Sequence, residues 1–245
     1  MTVSDRSQTP SRDSAPKDFL PALRFNVLTP LFDLVVRAAM RERRFKRGLL
    51  DHAAIEPGQR VLDLGCGTGT LAILAKEREP EAEVLGLDGD QAILGQARTK
   101  GEAAGVEVRF DHGYSTELPY EDASFDRILS TLFFHHLTTE DKRTTLAESV
   151  RVLRPGGEFH IADFTRPADP LMALGFTVVR LFDGIERTRV NARGELGALA
   201  SEAGLQAVTE GARFRTAFGT LGLLRAARAH ERPEGRVSGA VETRG

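Results

Sequence analysis

The stretch Val61-Leu-Asp-Leu-Gly-Cys-Gly-Thr-Gly-Thr70 leaves this chain few ways to fold. A short apolar run (61–64) meets glycines at 65, 67 and 69, and an apolar, alanine-containing stretch (71–76) follows. That order reads as strand, tight turn, helix. Glycine is suited to such a turn because it accepts positive φ and lets a ligand approach the backbone with no Cβ in the way. The first N–H groups of the following helix have no partner inside it and face whatever binds. A dinucleotide fingerprint would place its third glycine at position 70, which is Thr70. Asp63 also sits inside the strand end, where a dinucleotide fold requires no carboxylate.

Around this turn the chain alternates. Strands are expected at 60–64, 83–87, 106–110, 125–130 and 157–162, and helices at 69–78, 90–104 and 139–152. This is the βαβ pattern of a doubly wound parallel sheet. Thr138 and Asp141 are spaced like a capping box for the third helix, and Asp90 suits the cap of the second. Beyond Asp163 the pattern pauses. Residues 164–190 read as an insertion with a helix near 170–182. A helix at 192–203 follows, with Asn191 and Gly204 as its caps, and then two strands at 205–214 and 217–225.

The ends differ in composition. Residues 1–18 are rich in Ser, Asp, Arg and Pro and are expected to be a disordered tail, as is the segment 230–245. Residues 19–54 read as a helical cap, and 55–229 as the main domain. The basic run 41–47 is expected to be a solvated helix face. At 245 residues with 41% hydrophobic content, the chain is long enough for one sizeable core. A net charge of -2 offers no general attraction to nucleic acid or acidic membranes. The single Cys66 excludes an internal disulfide and a cysteine-based zinc site. With no apolar signal core and no bilayer-length apolar run, a cytoplasmic protein without stable membrane insertion is expected; a homodimer is compatible with the sequence.

Asp88 ends the second strand, 23 residues after Gly65 (88 − 65 = 23). A carboxylate there can accept two hydrogen bonds from vicinal ribose hydroxyls, which serves NAD and S-adenosylmethionine (SAM) alike. The motif D-x-G-C-G-x-G at 63–69, the stretch Gly113 to Asp126 with Arg127-Ile-Leu-Ser-Thr-Leu-Phe-Phe-His-His-Leu137, and Val152-Leu-Arg-Pro-Gly-Gly-Glu-Phe159 separate the two. Together they resemble the class I SAM-dependent methyltransferases, in the small-molecule branch that methylates quinones and lipids. The resemblance covers roughly residues 55–165. It implies a Rossmann-like, mostly parallel seven-stranded α/β sheet with helices before it and a helical insertion after the fifth strand. It also implies SAM as cofactor, bound by Asp63, Gly65, Cys66, Gly67, Thr68, Gly69, Asp88, Gly89, Tyr114, Ser115, Ser130 and Thr131. At Tyr114 the family often carries an acidic residue that bonds the adenine amino group. Here adenine is left to Ser115, to backbone groups or to stacking on Tyr114.

A small, apolar or aromatic acceptor is expected between segments 19–40 and 164–190, with His135, Asp163, Glu186, Arg187 and Arg189 as its polar candidates. His135, past the fourth strand, is the candidate base, needed only if the acceptor carries a proton. Cys66 is not expected to act as a nucleophile. His135 and His136 have no third ligand nearby in sequence, so no metal is expected. The alternatives are an NAD-dependent oxidoreductase, which lacks a recognisable hydride-transfer pair here, and a non-catalytic SAM-binding module.

Overall fold

The computed structural model describes residues 42–230. Both tails and most of the helical cap expected at 19–54 lie outside the described residues. Helix α1 spans Glu42–Ala53 and leads into strand β1, Arg60–Leu64. Then come α2 (Thr70–Arg78), β2 (Glu83–Asp88), α3 (Gln91–Ala104), β3 (Arg109–His112) and β4 (Phe125–Thr131). A 3-10 turn at Phe134–His136 precedes α4 (Thr139–Val152) and β5 (Leu153–Phe164). The chain closes with α5 (Pro170–Asp183), α6 (Ile185–Arg193), α7 (Leu196–Glu202), β6 (Gln206–Thr216) and β7 (Gly219–Ala227).

The seven strands form one sheet in the order β3-β2-β1-β4-β5-β7-β6. The first five are parallel to one another, while β7 runs antiparallel to both β5 and β6. The strand order reverses direction between β1 and β4. In open α/β sheets that switch point, at the carboxyl ends of the strands, is where ligands bind. The glycine turn at 65–69 lies there because it follows β1.

Both faces of the sheet are covered, so its strands are apolar on both sides. One layer joins Phe45 and Leu49 of α1, Leu71 of α2, Leu94 of α3 and Phe176 of α5 over Val61, Leu129 and Phe164. The opposite layer joins Leu146 of α4, Val190 of α6 and Leu199 of α7 over Leu62, Leu64, Ile128 and Phe159.

Helix starts follow local chemistry. Asp90 accepts the amides of Ala92 and Ile93 at 2.9 and 3.2 Å. Thr138 Oγ1 accepts the Asp141 amide at 3.1 Å. Asp169 accepts the Met172 amide at 3.0 Å, with Pro170 in the first turn of α5. Several expectations are corrected. The helix expected at 192–203 is two helices, because Gly194 adopts φ 70 and ends α6. Asn191 is therefore not a cap: it is buried in α6, and its side-chain amide donates to Phe164 O. The third strand starts later than expected, at Arg109, and the fifth begins earlier, at Leu153, before its Pro-Gly-Gly turn. The basic run is not a uniform solvated face either: Arg43, Arg44 and Arg47 are exposed, but Lys46 is only 7% exposed.

Candidate active site

The turn after β1 is built as its glycines require. Gly65, Gly67 and Gly69 hold φ of 70, 52 and 71. A Cβ on Gly65 would stand 2.4 Å from the Phe133 ring, so close packing and backbone conformation both demand glycine there. Gly69 precedes α2 with no side chain to cap it, and Asp63 does that work from the strand: its Oδ2 accepts the Ala72 amide at 3.0 Å. Asp88 braces the same turn from β2. Its Oδ2 accepts the Gly67 amide at 2.8 Å, and its Oδ1 accepts the Asp90 amide at 2.9 Å.

These two carboxyls stand in an unusual electrostatic setting. Asp63 is 1% exposed, and burial raises its pKa to about 7, although Lys46 and the Ala72 amide pull the other way. Burial also raises Asp88, against the amides of Asp90 and Gly67. Cys66 is buried between them. Desolvation first, then the neighbouring Asp63 and Asp88 charges, push its thiol well above the usual range, so it offers no thiolate. Its thiol instead meets Gly67 O at 3.8 Å within the turn.

The remaining predicted positions divide. Gly89 O accepts from His112 Nε2 at 3.1 Å, beside the turn. Thr68 and Thr70 hydroxyls lie 3.4 Å apart at the start of α2. Tyr114 is half-buried and meets His112 edge-to-face at 5.8 Å. Ser115 is buried, and its hydroxyl is engaged with Thr145 of α4 at 2.8 Å, which turns it toward that helix. Ser130 is also buried and donates to Leu64 O at 2.9 Å, stapling β4 to β1. Thr131 pairs with Ala162 across the sheet at the end of β4.

A second polar group lies at the carboxyl ends of β4 and β5. His135 Nδ1 is 2.8 Å from Asp163 Oδ1, and its Nε2 is 3.7 Å from Asp183 Oδ2 at the end of α5. His136 Nδ1 is 3.1 Å from Asp183 Oδ1. Asp163 Oδ2 also accepts the Phe133 amide at 3.1 Å. Burial would raise Asp163 and Asp183, but the adjacent histidines outweigh it and both are held below the ordinary carboxylate range. Lys142 of α4 is fully buried and donates to Leu137 O and Arg187 O, fixing the turn and α6 against each other; burial lowers its pKa to about 8. Of the other polar candidates, Arg187 donates to His136 O, while Glu186 and Arg189 pair with each other at the surface.

Known proteins resemble this chain. A family model described as "Methyltransferase domain" matches residues 61–157. A demethylmenaquinone methyltransferase of Thermus thermophilus is 37% identical over 156 residues, covering 63% of this chain and 70% of that protein. The chain belongs to the class I SAM-dependent methyltransferases. A 2-phytyl-1,4-naphtoquinone methyltransferase of Synechococcus elongatus is 38% identical over 133 residues, covering 53% of this chain and 56% of that protein. Among solved structures, YcgJ from Bacillus subtilis superposes with a TM-score of 0.61 at 22% identity, covering 77% of this chain and all of that one, and shares the fold.

The cradle fits the methyltransferase cofactor. SAM carries an ammonium and a sulfonium, and this turn presents buried carboxyls to such a cation. Among the described residues, Asp63 Oδ1 is buried with no hydrogen-bond partner, the kind of orphaned acceptor that a ligand ammonium satisfies. Asp88 accepts the Gly67 and Asp90 amides, with the Gly89 amide also on it, and the four lone pairs of a carboxylate leave room for a ribose hydroxyl. When bound, SAM supplies an electrophilic methyl carbon, and the protein's part is to hold the acceptor in line with it. Two groups here escaped the sequence reading. Lys46 was hidden in a basic run, and the one apolar neighbour that could have flagged its burial is Phe45. Asp183 is 47 residues from His136, and only the path of α5 brings them together.

Proposed function

We propose that this methyltransferase transfers the SAM methyl to a small, apolar, hydroxylated aromatic acceptor of the hydroquinone or phenol kind. The observation that carries the reading is the join between α5 and the histidine turn. Asp183, which bonds His136, is flanked by exposed Leu181 (74%) and Ile185 (62%). Leu171 and Leu174 continue the apolar face along the helix. An apolar wall beside a few fixed polar groups suits a ring with a hydroxyl. The names of the Thermus and Synechococcus relatives, which specify quinones, support the same class.

In this reading the glycine turn and Asp88 hold the cofactor, and Asp63 meets its ammonium. Tyr114 and the backbone near Ser115 border the adenine. The acceptor's hydroxyl proton is handled at the corner of His135, Asp163 and Asp183. Removing that proton raises electron density on the ring and makes its oxygen or carbon a better nucleophile toward the methyl.

The test is methyl transfer from labelled SAM to a panel of reduced naphthoquinones, benzoquinols, phenols, alkylamines and RNA. Label in the hydroquinone or phenol products is expected. Label confined to amines or RNA would overturn the acceptor class.

A further inference from the structure

The geometry points to a divalent transition-metal site formed by His135, His136 and Asp183. One donor atom from each lies within 4.8 Å of the other two. The chain thus supplies, through α5, the third ligand that the sequence around the two histidines lacks.

Three features distinguish this group from a chance surface cluster. First, the 3-10 turn sets the two imidazoles side by side, with ring centroids 4.0 Å apart. Second, Asp163 fixes His135 from behind. Asp163 is buried and accepts from the Phe133, His135 and Phe164 amides, so it stays an acceptor and His135 Nδ1 carries the proton toward it. A carboxylate holding the far nitrogen of a histidine is the usual outer support of a metal ligand. Third, His135 Nε2 lies 3.7 Å from Asp183 Oδ2, close to the separation of two atoms that share a cation at about 2.0–2.2 Å from each.

Two histidines and one carboxylate suit zinc, cobalt or ferrous iron, and three protein ligands leave a position open. Leu181 and Ile185, exposed beside Asp183, would place an apolar acceptor next to that position, where its oxygen could be taken up. This deepens the acceptor reading, but cation binding itself can be measured without any acceptor.

The experiment is calorimetric titration of the chelator-dialysed full chain with Zn²⁺ alone, together with the visible absorption of its Co²⁺ form. One cation per chain is expected. Asp183→Asn and His136→Gln should each weaken binding at least tenfold, and Asp163→Asn by about 10–100-fold, as loss of outer support does elsewhere. S-adenosylhomocysteine affinity reports the folded cradle in every variant. His136 is the decisive position, because its side chain is 46% exposed and tolerates replacement. No stoichiometric uptake by the unaltered chain, or equal Zn²⁺ affinity in His136→Gln, would overturn the site. Methyl transfer to a hydroquinone that persists without any metal uptake would remove the cation and leave the acceptor reading standing.

Discussion

Asp88 Oδ2 accepts the Gly67 amide at 2.8 Å, so the second strand fixes the shape of the loop that ends the first. The carboxylate assigned to the cofactor ribose is therefore also a brace of the loop that borders the cofactor. Binding and loop geometry are coupled through one side chain.

If Asp63 meets the cofactor ammonium, cofactor binding should depend on pH. Its pKa is raised to about 7 in the folded chain, against 3.8 for the ordinary group. Between those values the folded state holds a proton that the unfolded state has lost. The group's contribution to stability therefore falls as pH rises from about 4 to 7. A bound ammonium favours the ionised form, so cofactor binding near pH 7 should release protons. Calorimetry of S-adenosylhomocysteine in buffers of different ionisation enthalpy should show that release, and Asp63→Asn should abolish it while weakening binding. Buffer-independent heats in the unaltered protein would refute the assignment.

Gly65→Ala should disrupt the turn. The left-handed backbone alone costs roughly 1–2 kcal/mol for a residue with a Cβ. The new methyl would also meet the Phe133 ring at 2.4 Å. Thermal melting should fall by more than the backbone term, and Phe133→Ala should restore part of the loss in the double variant. An unchanged melting temperature for Gly65→Ala would mean that the turn is looser than described.

Acid sensitivity should trace to His160. This residue is fully buried on β5, with Nε2 2.9 Å from Glu158 and Nδ1 3.4 Å from His52. Burial lowers its pKa to about 4 from 6.5, more than Glu158 raises it. From pH 6.5 down to about 4 the unfolded chain takes up a proton that the folded chain refuses, so stability falls with pH across that window. His160→Asn should be less stable at neutral pH and lose less on acidification. A pH slope identical to that of the unaltered protein would exclude His160 as the source.

Much of this architecture was legible because it is local. The glycine turn and the caps at Asp90 and Thr138 depend on residues a few positions apart, Asp88 follows the turn by one βαβ length, and each stands where the spacing placed it. The helix break at Gly194 was missed because apolar periodicity runs on through 192–203, and a single left-handed glycine overrode it. The hydroxyl partner of Ser115 was not legible for a different reason. Its partner Thr145 lies thirty residues on, and no spacing rule links them. The same holds for Asp183 and for Lys46, whose importance comes from packing rather than from sequence neighbours.

The central claim is that the turn at 65–69, together with Asp63 and Asp88, holds SAM. The direct test is calorimetric titration of the unaltered chain and of Asp88→Ala with SAM, S-adenosylhomocysteine and NAD. The account predicts one-to-one binding of the first two, none of NAD, and a loss of about one to two decades in Asp88→Ala, since a charge-assisted hydrogen bond contributes roughly 1.5–3 kcal/mol. Equal SAM affinity in the two proteins, or binding of NAD in place of SAM, would contradict it.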